Sequence, residues 1–282
     1  MIDLHTHSNI SDGILSPKEL VKLASRSRIT YLALTDHDEV SGIAEAKKEA
    51  KANDLTLIPG IEISAELNGG EVHILGLGID PEYPALAEFV SDMRKNRYNR
   101  NIAILERLNR DGLIDDNPTS ILSERGITGR PHIAAYLIEK GIAANIGEAF
   151  EKYLAYNRKY YVKRNLVAPQ KAFKIIREAG GLSFIAHPSS ILIDFPQTDE
   201  ELEDLFKKWK DLGLDGIETF HPNFRPSVSR KFRAMAVKLY LLCSGGSDYH
   251  GFTAQNRNLG KWHKNKRIPI GIMQRLLPKI HL

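Results

Sequence analysis

The chain has 282 residues, 42% of them hydrophobic and 26% charged, with a formal net charge of +4. That length and balance suit one large α/β domain, or a domain carrying an insertion, and can bury a core without disulfides. No apolar run approaches the roughly 20 residues needed to span a bilayer, so a membrane role is excluded and a cytoplasmic location is expected. The single cysteine, Cys243, falls in the apolar run Leu239–Cys243, where a buried core thiol is expected.

In chain order, Ile2–His5 is strand-like, and Ser16-Pro17-Lys18-Glu19 then forms a capping box with proline at the first helical position. Apolar residues at helical spacing carry that helix through Leu20, Val21, Leu23 and Ala24. Tyr31–Thr35 reads as a strand, Ser41–Asn53 as a helix, and Leu57–Glu62 and Val72–Gly76 as two further strands. From Pro84 to Leu166 the pattern is almost wholly helical. It opens with a basic helix from about Leu86 to Arg110, followed by helices around Pro131–Glu139 and Asn145–Tyr156. The alternation then resumes with a helix at Pro169–Ala179, a strand at Gly180–Ala186, and a second capping box at Thr198–Glu201. Strands at Gly216–Phe220 and Leu239–Ser244 close the series. Such alternation predicts an α/β fold with a parallel sheet, open or closed into a barrel. The expected division is a barrel from residues 1–80 and 167–282, interrupted by a helical subdomain at 81–166.

Ligand-type residues fall at strand ends. His5 and His7 end the first strand and Asp12 follows; His37 ends the second strand and Glu62 the third. His73 lies in the next strand region, His187 ends Ser183–Pro188, and Asp248 and His250 follow Ser244–Ser247. Side chains two apart on a strand point the same way, so His5 and His7 can share one ion, and Asp248 and His250 repeat the spacing. In a barrel, the C-terminal strand ends converge on one face. Imidazoles and carboxylates without thiolates suit Mn²⁺, Fe²⁺ or Zn²⁺. Nine such residues exceed what one ion can use, so two or three divalent ions are expected.

These segments closely resemble the PHP family, named for polymerase and histidinol phosphatase. The resemblance is carried by Asp3-Leu4-His5-Thr6-His7-Ser8, Asp12-Gly13, Thr35-Asp36-His37, Gly60-Ile61-Glu62, His73, Ala186-His187-Pro188 and Ser247-Asp248-Tyr249-His250. It implies a distorted (β/α)₇ barrel with a trinuclear site. His5, His7, Glu62 and Asp248 would hold one metal; Glu62 would bridge to a second, completed by His73 and His187. Asp12, His37 and His250 would hold the third. The helical insertion, its arginine-rich first helix and the segment Thr128-Gly129-Arg130-Pro131-His132 are similar to one subgroup. Its members are nucleoside 3′,5′-bisphosphate phosphatases that also act as 5′→3′ exoribonucleases, known as RNase AM.

The expected chemistry is phosphoester hydrolysis by in-line attack of metal-held hydroxide. The substrate would be a phosphorylated nucleotide or a short 5′-phosphorylated RNA, and no obligate protein partner is implied. Glu62, Asp12 and His250 are the expected catalytic residues, with Asp12 and His250 as candidates for the leaving-group proton. Arg97, Arg100 and Arg130 are candidate phosphate contacts because guanidinium binds phosphate in bidentate fashion. Lys163 and His221 are further candidates, and His263 and His281 look peripheral. Tyr153, Tyr156, Tyr160 and Tyr161 lie among basic residues, where RNA contact competes with plain packing. A histidinol-phosphate phosphatase would share every metal ligand but has no need of so large a helical insertion. A non-catalytic metal- or nucleic-acid-binding module would be expected to lack ligands, and all nine are present.

Overall fold

A computed structural model describes residues 1–125, 129–194, 198–251 and 257–280. One sheet of seven strands runs β1 (Ile2–Asp3), β2 (Tyr31–Leu34), β3 (Thr56–Leu67), β4 (Gly70–Leu77), β5 (Leu182–Ile185), β6 (Gly216–Phe220) and β7 (Leu242–Gly245), neighbouring in that order. The chain segments after β1 and β7 join the sheet's two edges. Leu4 N–H donates to the Gly245 carbonyl at 3.2 Å, His7 N–H to Tyr249 at 3.0 Å and Asp248 N–H to His5 at 2.8 Å. The result is a nearly closed, seven-stranded barrel with helices.

The sheet is not wholly parallel, contrary to what the alternation suggests. β4 runs antiparallel to both β3 and β5. The cause is local: Asn68 and Gly69 take φ of 49° and 87°, and Leu67 pairs with Gly70. A two-residue loop with both φ positive is the type I′ hairpin turn, for which Asn-Gly is the preferred sequence. The hairpin also lengthens β3, so Glu62 sits within that strand instead of at its end.

The helices include α1 (Pro17–Arg26), α2 (Ile43–Ala52), α3 (Pro84–Arg110), α4 (Pro118–Arg125), α5 (Arg130–Glu139), α6 (Ile146–Ala149), α7 (Pro169–Glu178), α8 (Ser189–Asp194), α9 (Asp199–Asp211) and α10 (Pro226–Lys238). Both expected capping boxes form, with Ser16 and Thr198 each accepting from the backbone of the glutamate three residues on. α1 buries Leu20, Val21 and Ala24, the stripe its spacing predicts.

The chain divides into two compact units, residues Met1–Val90 with Leu166–Leu282, and Ser91–Asn165. The first is the barrel, whose interior includes Ile2, Leu4, Ala33, Ile58, Leu75 and Phe184. The second is helical and packs its own core from Ile104, Leu105, Leu108, Ile121, Ile133 and Leu137. Tyr160 belongs to that core and donates its hydroxyl to Asp111 Oδ2 at 2.7 Å, Tyr153 packs against it, and Tyr156 is exposed. Cys243 departs from expectation. It is only partly buried and lines a cavity of about 920 Å³ with Arg230, Arg233 and Arg275, while burial pushes its thiol pKa up. Among the described residues, no helix is long and apolar enough to cross a membrane.

Candidate metal centre

His5 and His7 lie just beyond β1 on backbone held from both sides. Thr35 N–H donates to the Thr6 carbonyl at 2.9 Å, and Thr6 bridges to Tyr249. Strand alternation sends Thr6 away, its hydroxyl on the Ala33 carbonyl at 2.6 Å, and brings the two imidazoles to 5.1 Å between centroids. His37 follows β2 and bridges to Glu62 on β3, while His73 lies on β4. His187 follows β5, and Asp248 and His250 follow β7.

All nine expected ligand residues converge. They fall into four overlapping groups whose ligand atoms lie within 4.8 Å of one another: His7, Asp12, His37 and His250; His5, His187 and Asp248; His5, His7 and Glu62; His37, Glu62 and His73. Glu62 is the hub. Its Oε2 lies 3.2 Å from His5 Nε2, 3.2 Å from His7 Nε2 and 3.1 Å from His37 Nδ1. Its Oε1 lies 3.1 Å from both His73 Nδ1 and His187 Nε2. Asp248 Oδ1 stands 3.2 Å from His7 Nε2 and 3.5 Å from His5 Nε2, and Asp12 Oδ1 stands 3.1 Å from His250 Nε2. The groups overlap more than the three sets implied by the resemblance, because His7 also neighbours Asp12 and His37 also neighbours Glu62.

Whether these residues suit divalent ions is answered by their hydrogen bonding. Buried polar atoms ordinarily find partners. Here His5 Nε2, both ring nitrogens of His7, His37 Nδ1 and Glu62 Oε2 are buried without a hydrogen bond. His5 is the sharpest case. Its Nδ1 is 3.1 Å from Glu218 Oε1, so the single proton of a neutral ring belongs there. The Nε2 then faces carboxylate oxygens of Glu62 and Asp248, an arrangement that a second ring proton or a bound cation relieves. The donor set fits divalent ions.

The titration behaviour points the same way. Burial drives the His7 and His73 pKa values down, yet their carboxylate neighbours win and hold them at about 9 and about 10. Burial also opposes the charged forms of Glu62, Asp12 and Asp248, and the surrounding imidazoles still pull all three well below the usual carboxylate range. His37 goes to about 3, through burial first, with His7 and His73 adding to it. The cluster therefore attracts positive charge but cannot protonate every ring, which leaves neutral imidazoles available as ligands.

Several positioning residues escaped the sequence pattern. Glu218, fully buried on β6, accepts from His5 and also from the backbone N–H of His187 at 2.6 Å. An acidic residue inside the short strand Gly216–Phe220, beside Ile217, Thr219 and Phe220, was the available signal. His221, expected as a substrate contact, is corrected to a positioning role. It is 1% exposed, its Nδ1 accepts from Asn223 N–H at 3.2 Å, and its Nε2 donates to Asp248 Oδ2 at 3.2 Å. Arg257 donates to the Asp248 carbonyl at 2.7 Å and to its carboxylate. Asp3, fully buried, ties the barrel's edges by accepting from Ser247 N–H, Ser247 Oγ and Gly260 N–H at 2.6–2.8 Å. Groups that orient metal-ligating histidines are worth about 10–100-fold in metal affinity or activity. Glu218→Ala should lose metal affinity by that factor, read by competition with a chromophoric chelator; unchanged affinity would remove Glu218 from the site.

Arg97, Arg100, Arg130 and Lys163 all belong to the helical unit. Arg100 is buried and donates to Asn101 Oδ1 at 3.1 Å. Arg130 lies over the Phe150 and Tyr161 rings, each centroid 5.8 Å away. Thr128 and His281 lie outside the described residues.

Comparison with known proteins agrees with this centre. The PHP domain model matches residues 3–216. A 5′-3′ exoribonuclease of Haemophilus influenzae is 33% identical, over 91% of this chain and 93% of its own length. A 3′,5′-nucleoside bisphosphate phosphatase of Chromobacterium violaceum is 34% identical, over 92% of this chain and 90% of its own. A solved structure from Bifidobacterium adolescentis, provisionally described as a metal-dependent phosphoesterase, superposes with a TM-score of 0.85 at 28% identity, covering 99% of this chain and 96% of that one. With the family model, these full-length relatives and the buried imidazole–carboxylate hub in agreement, the chain belongs to the PHP domain family and is a metal-dependent phosphoesterase.

Proposed function

We propose that the enzyme removes the 3′-phosphate from nucleoside 3′,5′-bisphosphates and trims short 5′-phosphorylated RNA in the 5′→3′ direction. The observation that carries this reading is similarity, nearly end to end, to relatives named for each of those two activities. The arginine-rich helical unit supports it, since a bisphosphate needs a cationic grip for the phosphate that is not cleaved. Arg97, Arg100, Arg130 and Lys163 are the residues assigned to that grip.

His5, His7, Glu62 and Asp248 would hold one ion, His73 and His187 with Glu62 a second, and Asp12, His37 and His250 a third. Bound divalent ions, with Mn²⁺, Fe²⁺ or Zn²⁺ suited to the donors, acidify water and neutralise phosphoryl charge. Glu62 sets the spacing, because its two oxygens face different histidines. Asp12 Oδ1 and His250 Nε2 stand 3.1 Å apart, and either would give the leaving oxygen its proton only while its own ligand atom is free of the third ion. His250 Nδ1 is anchored on the Asp248 carbonyl at 2.9 Å, which fixes the ring for that task.

The test is a direct comparison of 3′-phospho-AMP, a 5′-phosphorylated oligoribonucleotide, histidinol phosphate and a generic phosphodiester. Hydrolysis of the first two should dominate and stop with chelator. A preference for histidinol phosphate would overturn the reading. Arg130→Ala should raise KM for 3′-phospho-AMP about tenfold or more, the weight of one charge-assisted contact, while leaving the generic phosphodiester unchanged.

A further inference from the structure

A second cavity of the barrel unit, of about 280 Å³, is lined by Asn223, Arg257, Lys261, Trp262, His263 and Lys264 among others. Two of its residues are tied to the metal centre. Asn223 N–H supports His221, whose Nε2 reaches Asp248 Oδ2, and Arg257 donates to both the carbonyl and the carboxylate of Asp248. The lining thus reaches Asp248 directly through Arg257 and, from Asn223, through His221. His263, expected to be peripheral, lines this cavity.

The lining is cationic and polar. Arg257, Lys261 and Lys264 contribute, with no carboxylate among the lining residues, and neither lysine is ion-paired among the described residues. The hairpin of β8 (Lys261–Trp262) and β9 (Lys266–Arg267) carries both lysines and Trp262. Trp262 is half-buried, braced edge-on against Phe220 at 5.1 Å between centroids. Cations beside an indole, with amide side chains at hand, are what a single-stranded nucleic acid requires: charge for the backbone and a ring for a base.

We propose that this cavity is the subsite for the nucleotide on the 3′ side of the scissile phosphate of a short RNA, the side that keeps the phosphate when its bond to the upstream 3′-oxygen breaks. The inference rests on the proposed function and deepens it. A nucleoside bisphosphate ends at the phosphate being cleaved and has nothing to place there, whereas RNA continues past it. Lys261 and Lys264 then hold the backbone phosphate of that continuation and Trp262 meets its base. The site favours RNA trimming and is idle in mononucleotide hydrolysis.

The Lys261→Ala/Lys264→Ala double variant tests this on the metal-loaded enzyme. On a 5′-phosphorylated tetraribonucleotide, kcat/KM should fall at least about tenfold, mostly through KM. The slope of log(kcat/KM) against log[salt] should become shallower by about 0.7, the contribution of one neutralised phosphate on a single strand. On 3′-phospho-AMP, kcat and KM should stay at the wild-type values. Wild-type RNA kinetics in the variant, an equal fall on both substrates, or a wild-type enzyme that hydrolyses the bisphosphate but no RNA would each overturn the subsite. If the wild type hydrolyses neither substrate, the functional reading fails on its own. Fluorescence anisotropy with the same, now uncleaved, RNA then decides the subsite: tenfold weaker binding in the variant upholds it, and equal or absent binding removes it.

Discussion

Glu62→Gln is expected to lower turnover on every phosphoester by at least about a thousandfold, with loss of bound metal. The substitution keeps the shape of the side chain and changes only its chemistry. Each carboxylate oxygen of Glu62 faces two or more histidine nitrogens. An amide replaces one of those oxygens with an N–H₂ group, which turns donors toward rings that must present lone pairs. The cluster also loses the negative charge nearest most of its imidazoles. Metal ions supply several kcal/mol of transition-state stabilisation, and each 1.36 kcal/mol is a factor of ten in rate, which sets the expected size. Elemental analysis and thermal unfolding should move together with activity. Added divalent metal should raise the wild-type Tm by mass action and raise that of the variant much less. In the absence of metal the variant should be less stable than the wild type at neutral pH, because His7 and His73, held charged beside Glu62, lose their buried counter-charge. A Glu62→Gln protein with full metal content and ordinary turnover would sink the role of Glu62 as the bridge.

How much of this was legible in the sequence depends on whether the signal was local. His5 and His7, and again Asp248 and His250, stand out because a two-residue spacing at a strand end fixes the side chains on one face. Both capping boxes were legible for the same reason: the residues that make the contact are three apart in the chain. The reversal of β4 was equally local, written in Asn68-Gly69, and was passed over in favour of the βα rhythm. Glu218 and His221 are different. Their partners, His5 and Asp248, lie 213 and 27 residues away, so neither role follows from spacing. Cys243 misled because an apolar run does not say which face of β7 is covered. The residue looks outward to a cavity edged by arginines. The candidate ligand residues could thus be picked out one by one, whereas the residues that orient them became visible only once the strands were laid side by side.

Gly246→Ala, one atom added outside the ligand set, is expected to be nearly as damaging as loss of a ligand. A methyl group at that position would lie 2.1 Å from His5 Cβ and 2.6 Å from the His5 backbone nitrogen. Both are far inside van der Waals contact, and neither belongs to a flexible side chain that can turn away. Nor can the backbone retreat. Gly246 N–H is bonded to the Phe220 carbonyl at 3.0 Å, and Asp248 N–H to the His5 carbonyl at 2.8 Å. Ser247 is fastened to Asp3 through both its N–H and its hydroxyl. Relief of the clash must therefore part the first and last strands, the join that brings His5 to Asp248. Overpacking of a closed site of this kind costs about 1–3 kcal/mol, and here the lost closing hydrogen bonds add to it. Urea unfolding of the metal-free protein should show a drop of about 3 kcal/mol, and metal titration a weakened or absent site. Gly271→Ala is the matched control, with open space around the added methyl, and should change stability by no more than about 0.5 kcal/mol. Equal stability and equal metal affinity in the two variants would show that contact between Gly246 and His5 does not close the barrel.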